Sequence, residues 1–471
     1  MTILPLHPAN NATPEALEAF LAQCRAVAVK DGHAKLVSIS LAVGALDPLA
    51  VLESIFEPGE PHFYAERPGI ESAIAGAEVA IAHEAHGAGR FAAVQGFIDD
   101  TLAHTIAVGD VEAPFGGPHF FTAFAFNDEA EPGDAFPAAR VFVPRWQVAR
   151  AGATTTAVAN LLVTADADLT MLAERVWRAH GKFSKFSYRE SAPVELAPGP
   201  NFSTREAGDY QATVARALAR ITAGEFEKIV LARAIDLKLK QPLHPLRVLN
   251  GLRQLFPDCY AFSLANGRGQ SFIGATPEQL VRVSKGTLET AALAGTTGRG
   301  VGASDDATLG AALLRSEKDL REHRLVVETI IGRLAQHGLK LDYAPQPGLR
   351  RLANVQHLYT PIRAALPETV RLLDAVAWLH PTPAVGGAPA AAAIARIREL
   401  EGFSRGLYGG AIGWVNARGG GEFFVGIRSA LVDGATARVY AGAGIVAGST
   451  PEKEFAETEL KFKAMLGALC A

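Results

Sequence analysis

The sequence predicts an α+β fold of hairpins with interspersed helices, and three observations carry that prediction. Strand-like runs come in pairs, as in GEFFVGIRSALVDGATARVYAGAG, where Asp433-Gly434 marks a tight turn. Long amphipathic stretches such as LLRSEKDLREHRLVVETIIGRLAQHG stand apart from those hairpins instead of following each strand. Regular βα alternation is missing, which argues against a doubly wound parallel sheet.

In chain order, the tetrapeptide VLES (51–54) reads as helix, and FTAFAFN (121–127) and ARVFVPRW (139–146) read as strands. A seam rich in Pro, Gly and Ser, SAPVELAPGPNFSTREAG (191–208), separates an N-terminal portion (1–200) from a second portion (201–471). A helix over about 206–224 leads into the β-branched strand EKIVLARAIDLKL. SFIGATPEQLVRV reads as two short strands around a Thr-Pro turn, and LETAALAGT as a strand ending at its glycine. The helix in LLRSEKDLREHRLVVETIIGRLAQHG is closed by Gly338. After the Asp433-Gly434 hairpin, AGAGIVAGSTPEKEFAETELK reads as a glycine-rich turn and a charged helix.

Composition narrows the function classes. The chain has 471 residues, 49% apolar and 20% charged, an ordinary globular balance. Its 45 basic and 49 acidic residues leave a net charge of −4, with no positive field for nucleic acid or an anionic membrane. Cys24, Cys259 and Cys470 are far apart and share no metal-type spacing, as expected in a reducing compartment. The first twenty residues lack the basic start and apolar core of a signal peptide, and no apolar run approaches roughly 18 residues. A cytoplasmic protein is expected.

Gly442, Gly444 and Ala447 have the G-x-G-x-x-A spacing of a dinucleotide loop, but the chain ends too soon for the strand that loop requires. A backbone cradle for a small anion is the better expectation, feeding a helix that Ser449-Thr450-Pro451-Glu452 opens as a capping box. In that helix Phe455, Phe462, Leu466 and Leu469 share an inward side, with Glu454, Glu457 and Lys461 beside it. The earlier long helix also carries two acids at i, i+3, Asp319 and Glu322, next to Lys318 and His323. Two such helices can build an all-oxygen site, for which Mg²⁺ is favoured over zinc.

Nine ordered blocks resemble the chorismate-utilising enzymes, the family of isochorismate, salicylate, anthranilate and aminodeoxychorismate synthases. They are KIVLAR (228–233), FIGATPEQL (272–280), ALAGT (292–296), SEKDLREH (316–323), VQHL (355–358), HPTPAVGG (380–387), GLYGGAIGW (406–414), IRSA (427–430) and the closing AGAGIV…ETELK. The resemblance implies two packed antiparallel sheets flanked by helices, with the site in a cleft and an intertwined, non-catalytic N-terminal portion. It implies Mg²⁺ on Glu322 and Glu457, with Asp319 and Glu454 acting through water. Arg428 and Lys461 would hold substrate carboxylates, helped by amides of the Gly442–Gly444 turn. Gly295, Thr296, His357, Ala384, Val385, Tyr408 and Ile427 would line the substrate. Lys228 would be the base that activates water, and Glu278 the acid that protonates a leaving hydroxyl; Glu289 is a further orienting candidate.

Within the family, Ala294 in LAGT stands where aminodeoxychorismate synthases carry a nucleophilic lysine. FPDCYAF (256–262) departs from the N-P-S-P-Y of ammonia users, so water is the expected nucleophile and no glutaminase subunit is expected. Ala384 stands where pyruvate-eliminating members usually have threonine, which favours stopping at isochorismate. The resemblance therefore implies a monomeric, Mg²⁺-dependent isochorismate synthase acting on chorismate, upstream of menaquinone-type quinones or of siderophores. Salicylate synthase and a non-catalytic chorismate-binding relative are the alternatives.

Overall fold

Strand Ala139–Ala151 has three neighbours, and there the sheet divides into two arms. One edge pairs along its length with Ser72–Ala85. On the other edge its first residues pair with His119–Phe124 and its last with Thr154–Val163. The computed structural model in which this is seen describes residues 1–4, 13–184 and 202–469. Most of the expected seam at 191–208, and with it the boundary near residue 200, lies outside the described residues, as does Cys470.

The first arm continues from Ser72–Ala85 through Pro61–Arg67, Tyr260–Asn266, Gln270–Thr276, Ser429–Asp433 and Thr436–Val446 to Lys228–Leu239. The second runs from His119–Phe124 through Ala411–Asn416, Gly421–Val425, Gln279–Ser284 and Thr287–Gly298 to Val355–Ala365. All these ladders are antiparallel; the parallel pairings lie at Thr105–Gly109, beside Thr2–Leu4 and Lys35–Val43. Both arms mix strands from before and after the seam.

The arms close face to face because each presents large apolar side chains on one side. Phe63, Phe262 and Phe272 of the first arm meet Phe121, Ile412 and Phe424 of the second in a shared core. Phe63 and Phe121 stack with ring centroids 4.4 Å apart. The expected pair of packed sheets is thus present, as two arms of one hydrogen-bonded network. Helices cover the outer faces. Leu49, Leu52, Leu246, Leu249, Phe462 and Met465 of Pro48–Ser54, Pro245–Leu255 and Pro451–Leu469 pack on the first arm. Val94, Val326, Ile330, Val376 and Leu379 of Arg90–Ala103, Glu317–Ala335 and Leu372–Leu379 pack on the second. VLES is helical, within Pro48–Ser54. No described helix is long and apolar enough to cross a membrane.

Local expectations shift where caps and bulges decide. The helix expected from 206 begins at Tyr210, because Phe202–Glu206 pairs as a strand and Asp209 caps by accepting the Ala212 N–H. LLRS does not join the helix after it: Ala303–Leu313 is a separate helix, and Ser316 caps Glu317–Ala335. The strand at LETAALAGT runs on to Gly298, with Gly295 an inserted bulge residue at φ +78°. Thr450, not Ser449, accepts the Lys453 N–H at the start of Pro451–Leu469.

Candidate active site

The far ends of the two arms approach each other, and the site lies between them. Strands Lys228–Leu239 and Thr436–Val446 pair with Val230 opposite Gly444 and Ala232 opposite Gly442. Gly442 and Gly444 therefore sit inside a strand, not at the expected turn, and being two apart they share one face. Their contribution is space. A Cβ on Gly444 would collide with Glu322 Oε1 and lie 3.1 Å from Lys228 Cε. A Cβ on Gly442 would lie 2.8 Å from the Tyr408 hydroxyl oxygen. The polar contact seen at this pair is the Gly442 carbonyl, which accepts from Lys461 Nζ at 2.8 Å.

Two helices bring acids to that face. Helix Glu317–Ala335 is bolted to the second arm by buried His323, whose ring nitrogens meet Ala294 O at 3.3 Å and Thr360 Oγ1 at 2.9 Å. The bulge at Gly295 lets this helix come close, since a Cβ there would lie 3.2 Å from Asp319 Cβ. Helix Pro451–Leu469 is tied to the first arm through Arg233, which ion-pairs with Glu459 and stacks over Phe455 at 4.0 Å. Glu322 comes from the first helix and Glu457 from the second, and both face the same cleft.

All the sequence-predicted site residues except Lys228, Glu289, Asp319 and Glu454 line this cleft: Glu278, Gly295, Thr296, Glu322, His357, Ala384, Val385, Tyr408, Ile427, Arg428, Gly442, Gly444, Glu457 and Lys461. Lys228 lies just behind the glycine wall, fully buried, with Nζ 3.0 Å from Glu322 Oε1 but out of line for a hydrogen bond. Glu454 is also buried, paired with Lys318 Nζ at 2.8 Å. Asp319 accepts from the hydroxyl of its own cap, Ser316. Glu289 is elsewhere: it pairs with Arg282 and Arg363 and is no part of the cleft lining. Val230, Leu293 and Ala294 also line the cleft without having been singled out as substrate contacts.

The electrostatics are uneven. Burial pushes the Glu278 carboxyl up to about 7, against the opposing pull of a hydrogen bond from Thr382 and the charges of Lys228 and Lys461. Burial alone would raise Glu457 too, but Lys461 at 2.6 Å, with Lys318 and Arg428, holds it below the usual carboxylate range. Burial raises Asp319, and the negative charges of Glu322 and Glu457 add to that. Burial, together with the nearby charges of Arg428 and Lys461, keeps His357 well below its ordinary range. Its Nδ1 meets Thr296 Oγ1 at 3.0 Å, while its buried Nε2 has no partner among the described residues. Arg428 adopts φ +50°, and no described carboxylate pairs with its guanidinium. An unpaired arginine beside Lys461 suits a substrate carboxylate.

A larger cavity, about 700 Å³, lies further along the same strands, beyond the stacked rings of Tyr408 and Tyr440. Its Arg438 is already paired with Asp236 and its Arg405 with Glu401, so the chemistry-bearing set belongs to the smaller cleft.

Comparison with known proteins bears on the family and the fold. The family profile described as chorismate binding enzyme matches residues 19–470. The chain is 37% identical over 440 residues to the salicylate biosynthesis isochorismate synthase of Pseudomonas aeruginosa, covering 93% of this chain and 90% of that one. It is 34% identical over 356 residues to the isochorismate synthase MenF of Bacillus subtilis, 75% of each chain. Among solved structures, the menaquinone-specific isochorismate synthase MenF of Escherichia coli aligns with TM-score 0.77 at 27% identity, covering 95% of this chain and 99% of that one. Cleft, fold and near-complete sequence match converge, and the chain belongs to the chorismate binding enzyme family.

Proposed function

We propose that this protein is an isochorismate synthase, converting chorismate reversibly to isochorismate with Mg²⁺. The carrying observation is that Glu278, a buried carboxyl pushed up to about 7, lines the cleft, while Lys228, a buried amine, lies just behind its glycine wall within electrostatic reach of Glu278. In the forward direction Lys228 Nζ takes a proton from water as its oxygen bonds to ring carbon C2. Both ring double bonds shift, C1=C2 to C1=C6 and C5=C6 to C4=C5, the C4–O bond breaks, and Glu278 gives its proton to the departing hydroxyl, which leaves as water. Acid and base catalysis at about neutral pH calls for this pairing of environments. Arg428 and Lys461 would hold the substrate carboxylates.

The donor set fits Mg²⁺. Glu322 and Glu457 both reach the cleft, and their charges already disfavour a third carboxylate on Asp319, a repulsion a hard cation relieves. No three described His, Cys, Asp or Glu side chains form a closed cage. Mg²⁺ typically takes one or two protein carboxylates and completes its sphere with water and substrate. Glu322 and Glu457 would hold the ion, and when bound it would neutralise part of the substrate's negative charge. The names of the relatives span salicylate and menaquinone biosynthesis, and we place the product upstream of one of these two classes.

Purified protein supplied with chorismate and Mg²⁺ should form isochorismate reversibly, with no dependence on ammonia and no release of pyruvate. Pyruvate at a comparable rate would make it a salicylate synthase instead. Absence of turnover with intact chorismate binding would make it a binding protein.

A further inference from the structure

Thr382 stands in the block HPTPAVGG but was given no role by the sequence pattern. Its carbonyl accepts from the Val385 N–H at 3.1 Å and the Gly386 N–H at 2.8 Å, closing a turn that sets Ala384 and Val385 against the cleft. That turn is fixed to the sheet by Val230 N–H donating to Gly386 O and by Arg405 Nη1 donating to Val385 O, both at 2.8 Å. The Thr382 side chain is therefore held rigidly, and it is buried. Its hydroxyl donates to Glu278 Oε1 at 3.2 Å.

Glu278 is immobilised from its backbone as well. Its N–H donates to Thr276 Oγ1 at 3.2 Å, and its carbonyl accepts from Val425 N–H at 3.0 Å. Among the described residues, Thr382 supplies the hydrogen bond found on the Glu278 carboxyl. A protonated carboxyl has one O–H, and an oxygen already accepting a hydrogen bond is the poorer place for it. Oε1 is occupied, so the proton falls to Oε2.

We propose that Thr382 is a positioning residue whose hydroxyl selects Oε2 as the oxygen of Glu278 that delivers the proton. This rests on the reading of Glu278 as the general acid. In the step itself the Oε2–H bond breaks, the proton bonds to the C4 oxygen, and the C4–O electron pair leaves with that oxygen as water. Glu278 is left as the carboxylate, and Thr382 gives up no proton. A donor to the carboxylate also favours the charged form, so removing it should move the titration of Glu278 upward. Glu322, His357, Arg428 and Glu457 line the same cleft as Glu278, and three groups act on it electrostatically: Lys228 from one strand, Lys461 from the C-terminal helix and the Tyr408 phenol. All three remain when Thr382 is changed.

The test compares T382V, which keeps the shape without the donor, with T382S, which keeps the donor. T382V should lower kcat about tenfold to 100-fold, part of the range general acid catalysis supplies, with KM within about twofold. The alkaline limb of its kcat profile should move to higher pH, and T382S should recover kcat to within about threefold of the parent. Unchanged kcat in T382V, equal impairment in T382S, or a raised KM at normal kcat would each overturn the proposal. If T382V does not fold, T382A replaces it with the same expectations. E278Q run alongside separates the two levels. An active E278Q overturns the acid reading itself, whereas a dead E278Q with a normal T382V overturns only the role of Thr382.

Discussion

Gly444 leaves open the point that Glu322 Oε1 occupies, so the strand and the helix meet there with no side chain between them. The same glycine lies 3.1 Å, from its would-be Cβ, to Lys228 Cε. Gly444→Ala should therefore push Glu322 away from Lys228 and out of the cleft. Displacing reacting groups by about 1 Å costs on the order of 100-fold. Turnover should fall by about that much while overpacking costs only about 1–3 kcal/mol of stability. Steady-state kinetics and a urea titration check both; a variant with normal kcat/KM would show that Glu322 does not need this position.

As the proposed acid, Glu278 would act only while it holds its proton. Its carboxyl is pushed up to about 7 by burial, so the protonated fraction is high below that pH and falls through it. In the direction that protonates the leaving hydroxyl, kcat should decline tenfold per unit on the alkaline side of about 7. A profile of kcat from pH 5.5 to about 9 measures this, with E278Q lacking the limb because it lacks the activity. A limb near the ordinary carboxylate range would mean another group supplies the proton.

The buried Arg405–Glu401 pair holds the cleft wall to the strand that carries Lys228. Glu401 Oε1 accepts the Ala232 N–H at 2.6 Å, and Arg405 donates to the carbonyls of Val230 and Val385, both at 2.8 Å. Removing one partner leaves a buried charge unpaired, which typically costs about 3–5 kcal/mol. Arg405→Met should show that loss in chemical denaturation, and the double variant with Glu401→Leu should recover part of it. A single variant as stable as the parent would mean that Glu401 is neutral in the folded protein.

The hairpins and long helices were legible because their signals are local: an Asp-Gly turn, apolar periodicity, a Ser at the head of an acidic turn. The branching at Ala139–Ala151 was not, since pairing Pro61–Arg67 with Tyr260–Asn266 leaves no mark in either segment alone. Gly442 and Gly444 were misplaced into a turn for a related reason. Glycines commonly mark turns, but a pair spaced by two on an apolar run also marks a strand face approached closely by something else. That second signal was available and points to the helix carrying Glu322. Thr382 was missed because HPTPAVGG drew attention to Ala384; a lone hydroxyl between two prolines carries no periodic signal, and its partner Glu278 is 104 residues away. Lys228 was placed correctly on its strand, yet its pairing with Glu322 depends on how the C-terminal half of the chain closes.

Three histidines outside the cleft should make the protein sensitive to acid. His62 meets Ser263 Oγ at 2.7 Å, His119 the Gly117 carbonyl at 3.1 Å, and His380 the Ala125 carbonyl at 3.1 Å. All three are buried, and burial pushes His62 and His380 down to about 3 and His119 to about 4. In the unfolded chain each would take up a proton near about 6.5. The unfolded state therefore binds more protons over the interval between these values, and stability rises with pH there. The stabilisation is fully present above about 6.5 and is lost as pH falls toward the folded values, by roughly 1 kcal/mol per histidine per pH unit. Urea midpoints measured from pH 7.5 down to about 5 should fall steeply. His119→Gln, which keeps a polar side chain beside Gln147 without the titration, should flatten part of that fall even if it lowers stability at pH 7.5. An unchanged slope in that variant would show that His119 is charged in the folded state and that the acid sensitivity has another source.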